Sequence, residues 1–319
     1  MQTDLATTEL GSTGMLITRI GFGAWAIGGG DWEFGWGPQD DADSVAAIEH
    51  GIEAGINWID TAAGYGFGRS EEMVGRALAG VPERDRPYVF TKCSLLEGPG
   101  RKVVRSLARD SIMREAEASL RRLGVDAIDL YQIHWPRPEA DIEEGWGALV
   151  ELRSQGMVRN IGVSNFNTQQ LELISEIAPV QTLQPPYSLV ARDVEAEILP
   201  HAQANGIGVI VYSPMGSGLL SGAMSRERVE RFPDSDWRKR DARFQEPQLS
   251  EHLALVERLR AVAQRHDTTP GVVAVAWTLA NPAVHGAIVG FRTPAQVDPL
   301  LPAAGLRLTD EELREIEGR

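Results

Sequence analysis

Short unbroken apolar runs alternate along the chain with longer stretches whose apolar residues recur at three- and four-residue intervals. Runs of this kind, without one-in-two alternation, read as strands buried on both faces, and the spaced stretches read as helices. The strands fall at 19–23, 56–60, 88–92, 127–134, 158–164, 180–184, 207–213 and 285–290. The spaced pattern predicts helices at 40–55, 70–80, 103–124, 142–156, 168–178 and 193–206, most of them stopped by a glycine such as Gly55, Gly80 or Gly124. Two more fall within 250–281, with Pro270 opening the second, one lies around 295–301, and one runs over 308–317 with Thr309 as its cap. Eight strands, each followed by helical sequence, predict a (β/α)8 TIM barrel. Residues 7–20 add an N-terminal β-hairpin, and the last helices are extra to the barrel. No composition shift marks a boundary, so 1–319 reads as one domain.

Two segments break the alternation. Residues 25–39 carry Trp32, Phe34 and Trp36 among glycines with no helical or strand period, the pattern of a loop that walls a pocket. Residues 222–250 are charged and weakly periodic, and they predict a long loop over one end of the barrel, a lid. The arginines and lysine in it read as a solvated face.

Charge narrows the function classes. There are 45 acidic and 31 basic residues, a net charge of −14, and the pI is about 5.0. Such a surface argues against nucleic-acid and anionic-membrane partners. It leaves room for an anionic cofactor, which needs only a few backbone N–H groups and an arginine or two. Cys93 is the single cysteine, so a disulfide framework is excluded and a reducing compartment fits. Residues 1–10 lack a signal-peptide pattern, and no apolar run approaches the roughly 18 residues of a membrane span. The expectation is a cytoplasmic protein; its oligomeric state is left open.

A barrel of this kind does its chemistry at the C-terminal ends of its strands. The polar residues there are Asp60, Lys92, His134, Ser164, Asn165, Gln184, Tyr212 and Ser213, and Tyr65 lies in the loop just above Asp60. An acid, an amine, an imidazole and a phenol converging on one mouth suit proton transfer to a reacting oxygen. The histidines at 50, 134, 201, 252, 266 and 285 show no ligand spacing, so no metal site is expected.

With the segments IDTAAGYG, FTK and YQIHWP around Asp60, Tyr65, Lys92 and His134, the chain resembles the aldo-keto reductases. GFGAW at 21–25, IGVSNF at 161–166, QPPYS at 184–188 and YSPMGSG at 212–218 extend the likeness over nearly the whole chain, and AIGGGDW and QPPYSL resemble the bacterial long-chain branch related to inositol- and stress-associated reductases. The resemblance implies NADPH-dependent reduction of aldehydes and ketones, with NADH as the alternative. It implies Tyr65 as general acid, Lys92 as the cation lowering the phenol's pKa, Asp60 as the residue holding Lys92, and His134 as the group orienting the carbonyl. For the cofactor it implies Ala24, Trp25, Asp60, Ser164, Asn165 and Gln184 about the nicotinamide, and Tyr212 stacked on it. Ser213, Met215, Gly216, Ser217, Gly218 and Leu219 fall to the pyrophosphate, and Gly290, Arg292 and Gln296 to the adenosine phosphate. The chain departs from the family at Gly290, Pro299 and Leu300, where many reductases carry a lysine or an acid–asparagine pair.

Trp25, Trp32, Trp36 and Trp135 lie near strand ends and would wall a substrate pocket suited to apolar or aromatic carbonyls. Two rival functions stand beside this one. A nucleotide-occupied sensor like the potassium-channel β subunits would bind without turnover. A Schiff-base aldolase on Lys92 is opposed by Asp60, which keeps the amine charged.

Overall fold

The computed structural model describes residues 5–319. Residues 1–4, part of the N-terminal segment read above for a targeting signal, lie outside it. The chain opens with an antiparallel hairpin, β1 (Thr7–Glu9) and β2 (Leu16–Thr18), and then enters β3 (Ile20–Gly23), β4 (Trp58–Asp60) and β5 (Tyr88–Cys93). A second hairpin follows, β6 (Leu95–Glu97) and β7 (Val103–Arg105), and the main path resumes with β8 (Ile128–Ile133), β9 (Val158–Ser164), β10 (Thr182–Gln184), β11 (Gly208–Tyr212) and β12 (Gly286–Gly290). Eight of these strands close a parallel barrel in the order β3-β4-β5-β8-β9-β10-β11-β12.

The helices are α1 (Asp41–Glu53), α2 (Arg69–Ala79), α3 (Arg109–Leu123), α4 (Ile142–Ser154), α5 (Thr168–Ser175), α6 (Ile198–Ala204), α7 (Arg226–Glu230), α8 (Gln248–Arg265), α9 (Pro270–Ala280) and α10 (Asp310–Glu317). Their starts follow local chemistry. The Asp40 carboxylate takes the N–H groups of Ala42 and Asp43, and Thr309 with Glu312 forms a reciprocal cap on α10.

Four expectations need correction. The helix read over 103–124 begins only at Arg109, because Val103–Arg105 pairs with Leu95–Glu97 across the Pro99–Gly100 turn. β-branched valines and a turn-forming Pro–Gly favour that hairpin over an extra helical turn. The helix read over 193–206 is split by Glu197, at φ −136°, into a 3₁₀ turn and α6. The segment around 295–301 is two 3₁₀ turns, since Pro294, Pro299 and Pro302 lack the N–H groups an α-helix needs. Residues 222–250 hold α7 and two further 3₁₀ turns, so they form a structured cover.

Strand alternation divides the barrel lumen into two layers. Trp58, Phe90, Leu130, Ile210 and Ile288 pack with Leu10, Met15 and Ile17 of the hairpin, which plugs the N-terminal end. Gly21 makes this possible, for a Cβ there would lie 2.2 Å from the Trp58 ring. Two residues beyond each of Trp58, Phe90, Leu130 and Ile210, on the same inward face, come Asp60, Lys92, Gln132 and Tyr212. The apolar layer is thus the floor of a polar one. The outward face packs the helices, and Cys93 lies there, fully buried in the outer core, with its thiol pushed well up by burial.

Candidate active site

Asp60 ends β4, Lys92 is the penultimate residue of β5, and His134 directly follows β8. Tyr65 is carried in from the loop between β4 and α2 by a turn in which its N–H donates to Ala62 O at 3.1 Å. Gly66 leaves that turn at φ +63°, and a Cβ on it would sit 2.2 Å from Gly28 O, so only glycine lets the two loops touch. The four side chains meet, and all are buried.

The Lys92 ammonium uses its three protons on three acceptors. Nζ donates to Asp60 Oδ1 at 2.5 Å, to Thr61 O at 2.9 Å and to the Tyr65 hydroxyl at 3.3 Å. The second Asp60 oxygen accepts from Gln184 Nε2 at 2.8 Å. Burial moves both partners of the ion pair toward neutrality, Asp60 up and Lys92 down, and their mutual attraction and hydrogen bonds oppose it. Tyr65 is raised well above 10, first by burial, then by the Asp60 and Tyr212 charges. The expected lowering by Lys92 is therefore outweighed here. An ammonium 2.5 Å from a carboxylate offers the phenol little net charge.

His134 lies edge-on to Tyr65, with ring centroids 5.5 Å apart and planes at 80°. Its carbonyl accepts from Asn165 Nδ2 at 2.9 Å, and its Nδ1 is buried with no protein partner among the described residues. Burial, then Lys92 and Arg105, hold its pKa well below 6.5, so the imidazole is neutral near pH 7.

Ser164, Asn165, Gln184 and Tyr212 come together beside this group, largely occupied with one another. Ser164 Oγ donates to Gln184 O (2.7 Å) and Tyr212 OH to Asn165 Oδ1 (2.8 Å). Gln184 places its amide on Asp60, below the mouth. The loop 213–219 turns through positive φ at Ser213, Gly216, Ser217 and Gly218, with Met215 and Leu219 between and after them. Ala24 N–H donates to Asp60 O at 2.9 Å, and Gly290 ends β12 exposed, with Gly23 O 3.9 Å from where a Cβ would sit. Arg292 is farther round the rim. Its guanidinium donates to Gln39 Oε1 (2.7 Å), Pro38 O (2.5 Å) and Trp36 O (3.4 Å), while Gln296 Oε1 accepts its backbone N–H (2.7 Å). Its three side-chain partners are neutral oxygens, and burial and Arg238 press its pKa down.

The tryptophans divide. Trp25, Trp32 and Trp36 form one aromatic wall with Tyr65, Phe34 and Phe67. Trp135 is exposed and makes no ring contact with that wall. A cleft of about 650 Å³ opens beside Trp32, between Glu33, Arg101, Lys102, Ser235 and Arg240.

Sequence reasoning missed two features. Gln132 lies in the inward polar layer, its Oε1 3.4 Å from Gln184 Nε2, and its place two residues before His134 on the same strand was a usable signal. Trp237 stacks on Trp25 (5.3 Å, 18°). Nothing local signals it, because its partner is some 200 residues away in sequence. The solvated reading of 222–250 fails at Arg238, which is buried against Asp236.

Comparison with known proteins places this arrangement among relatives. Residues 19–318 match the Aldo/keto reductase family. The chain is 39% identical to the aldo-keto reductase YhdN of Bacillus subtilis (strain 168), over 97% of this chain and 92% of that one. It is 35% identical to the NADH-specific methylglyoxal reductase of Escherichia coli (strain K12), over 95% and 94%. Among solved structures it is similar to the glycerol dehydrogenase AKR11B4 from Gluconobacter oxydans, with a TM-score of 0.88 and 38% identity over 98% of this chain and 94% of that one.

Proposed function

This chain belongs to the aldo/keto reductase family and is an NAD(P)H-dependent reductase of carbonyl compounds, and from that premise we propose that Tyr65 is its proton donor and NADPH its preferred reductant, with 1–319 acting as one catalytic domain. The observation that carries the first part is the chain of contacts from Asp60 through Lys92 to the Tyr65 hydroxyl, at 2.5 and 3.3 Å. Burial keeps the phenol protonated, the state a general acid requires.

The residues present fit a nicotinamide dinucleotide. Four positive-φ residues wind 213–219 into a tight turn, closed by Gly216 N–H on Ser213 O and Gly218 N–H on Met215 O, whose backbone a phosphate can approach closely. The partly buried Arg292 guanidinium directs its hydrogen bonds to neutral oxygens, with Asp236 acting on it only from a distance, so an added phosphate would compensate its charge. That supports NADPH, although the Escherichia coli relative is named for NADH. When bound, the cofactor supplies the hydride. Tyr65 then delivers its proton to the carbonyl oxygen as negative charge develops there, and the Lys92 N–H already aimed at its oxygen hydrogen-bonds the phenolate left behind. Asp60 keeps Lys92 charged and aimed. The neutral His134 orients the carbonyl, and Ser164, Asn165 and Tyr212 hold the nicotinamide end.

Trp25, Trp32 and Trp36 favour apolar or aromatic carbonyls. Relatives named for methylglyoxal and glycerol put small oxygenated substrates in the same assay. The test is NADPH oxidation with 4-nitrobenzaldehyde, methylglyoxal and sugar aldehydes. Tyr65→Phe should lose about 10²–10⁴-fold in kcat while cofactor-dependent fluorescence quenching persists. Wild-type-like turnover in that variant refutes the assignment, and tight binding with no wild-type turnover favours a sensor.

A further inference from the structure

The ring stack beside the Tyr65 phenol ends on a residue of the 222–250 segment, and the next residue of that segment holds the 213–219 loop. Trp25 lies between Tyr65 (6.3 Å, 25°) and Trp237 (5.3 Å, 18°). Its indole N–H donates to Phe34 O at 3.2 Å, so the ring is held by two near-parallel neighbours and at one edge. Trp237 is joined to the 25–39 loop as well, because its backbone N–H donates to Gly35 O (3.1 Å) and Asp236 bridges Trp36 in antiparallel fashion.

Arg238 anchors the other side. Nε and Nη2 grip the Asp236 carboxylate at 3.0 and 2.6 Å, and Nη1 donates to Ser217 O at 3.3 Å. The guanidinium lies 4.5 Å from the Trp36 ring centre and 4.3 Å from that of Phe232. Each contact uses the planar fork or the flat face, which a lysine cannot supply. At the seam the indole N–H groups of Trp25 and Trp32 donate to Phe34 O and Gly29 O, while those of Trp36 and Trp237 have no protein acceptor among the described residues. The contacts that close the seam are the ring stack and the Arg238 fork.

We propose that Trp237 and Arg238 are coupling residues: Arg238 ties the segment to the 213–219 loop, Trp237 sets the width of the aromatic wall beside Tyr65, and an anion seated in that loop tightens the wall around a bulky carbonyl. The inference rests on reading 213–219 as the pyrophosphate seat. Both act as positioning residues. Arg238 transmits through the Ser217 carbonyl, and Trp237 transmits through Trp25.

The test uses the full chain and two readouts. In the first, trypsin cleavage at the exposed Lys239 and Arg240 is timed with and without NADP⁺, which needs no turnover. The wild type should be cut about tenfold more slowly with NADP⁺, as expected when ligand suppresses local opening. Trp237→Leu should be cut fast under both conditions while still binding NADP⁺ by fluorescence, and Trp237→Phe should restore protection. Arg238→Lys should weaken NADP⁺ binding and lose protection together. In the second readout, Trp237→Leu should raise KM for 4-nitrobenzaldehyde about tenfold more than KM for methylglyoxal, with a smaller change in kcat. Wild-type protection in Trp237→Leu, no protection in the wild type, or an unchanged KM ratio overturns the coupling. A wild type that is protected by NADP⁺ but turns over no aldehyde removes the proposed reduction and leaves the coupling standing.

Discussion

On the outward face of β5, two buried carboxylates lie near one guanidinium that pairs with only one of them, and replacing the other should stabilise the protein at alkaline pH. Glu71 takes Arg122 at 2.5 Å and the Thr91 hydroxyl at 2.6 Å. Glu115 is left with Ser94 N–H at 2.9 Å and Ser111 Oγ at 3.3 Å. Burial pushes the Glu115 carboxyl up from 4.5 to about 7; the two hydrogen bonds and Arg122 oppose this and Glu71 adds to it. A folded-state pKa above the unfolded one means that the native protein holds the proton more tightly. Its stabilising effect is complete below about pH 4.5 and lost as pH rises through 7. The difference of about 2.5 units corresponds to roughly 3 kcal/mol at about 1.4 kcal/mol per unit. Glu115→Gln keeps an oxygen for Ser94 N–H and cannot ionise. Urea unfolding of both proteins from pH 4.5 to 8.5 should show near-equal stability at the acid end. The variant should gain roughly 3 kcal/mol at the alkaline end, with an unchanged m-value. A difference that does not vary with pH, or a variant less stable at pH 8.5, would refute the reasoning. Ser94 sits at φ +81° just past Cys93, so the variant also tests whether its N–H needs an anionic partner.

Three other outcomes follow from the site. Lys92→Met leaves the Asp60 carboxylate buried without its cation and should destabilise the fold by about 3–5 kcal/mol in urea, with much of that recovered in the Asp60→Asn/Lys92→Met double variant; equal loss in both would remove the ion pair from the account. His134 is neutral in the fold and becomes charged on unfolding below about 6.5, so its contribution is intact above that pH and lost as pH falls. Relative to wild type, His134→Gln should therefore gain about 1 kcal/mol between pH 7.5 and 5.5 in the same unfolding assay, and an unchanged difference would contradict a lowered pKa. Arg292→Ala should cut kcat/KM for NADPH by at least about tenfold while NADH changes little; equal effects on both cofactors would take the phosphate away from Arg292.

Much of this molecule was legible along the chain, for reasons specific to its parts. The barrel strands are apolar on both faces, so their positions stand out even where β4 and β10 are three residues long. Asp60, Lys92 and His134 could be placed at one mouth because parallel strands in a barrel all point their C-terminal ends the same way. The β6–β7 hairpin was illegible because Val103–Arg105 run straight into the helical sequence behind them and fit its repeat. Only pairing with a partner strand decides such a segment. The helix read around 295–301 is two 3₁₀ turns because the prolines at 294, 299 and 302 withhold N–H groups, which spacing alone does not reveal.

By itself the sequence determined the periodicities, and with them the eight-fold alternation, the polar residues at strand ends and the glycines that bend Tyr65 inward. These depend on neighbours a few residues apart, where backbone geometry is the whole constraint. Tertiary structure decided everything that depends on dielectric and on distant partners. It determined that burial holds the Tyr65 proton, that Gln184 serves Asp60, that Gln132 joins the polar layer, and that Trp237 and Arg238 close on the 25–39 loop. No local pattern encodes such facts, because the energy of a charge or a ring is set by what surrounds it after the chain has closed.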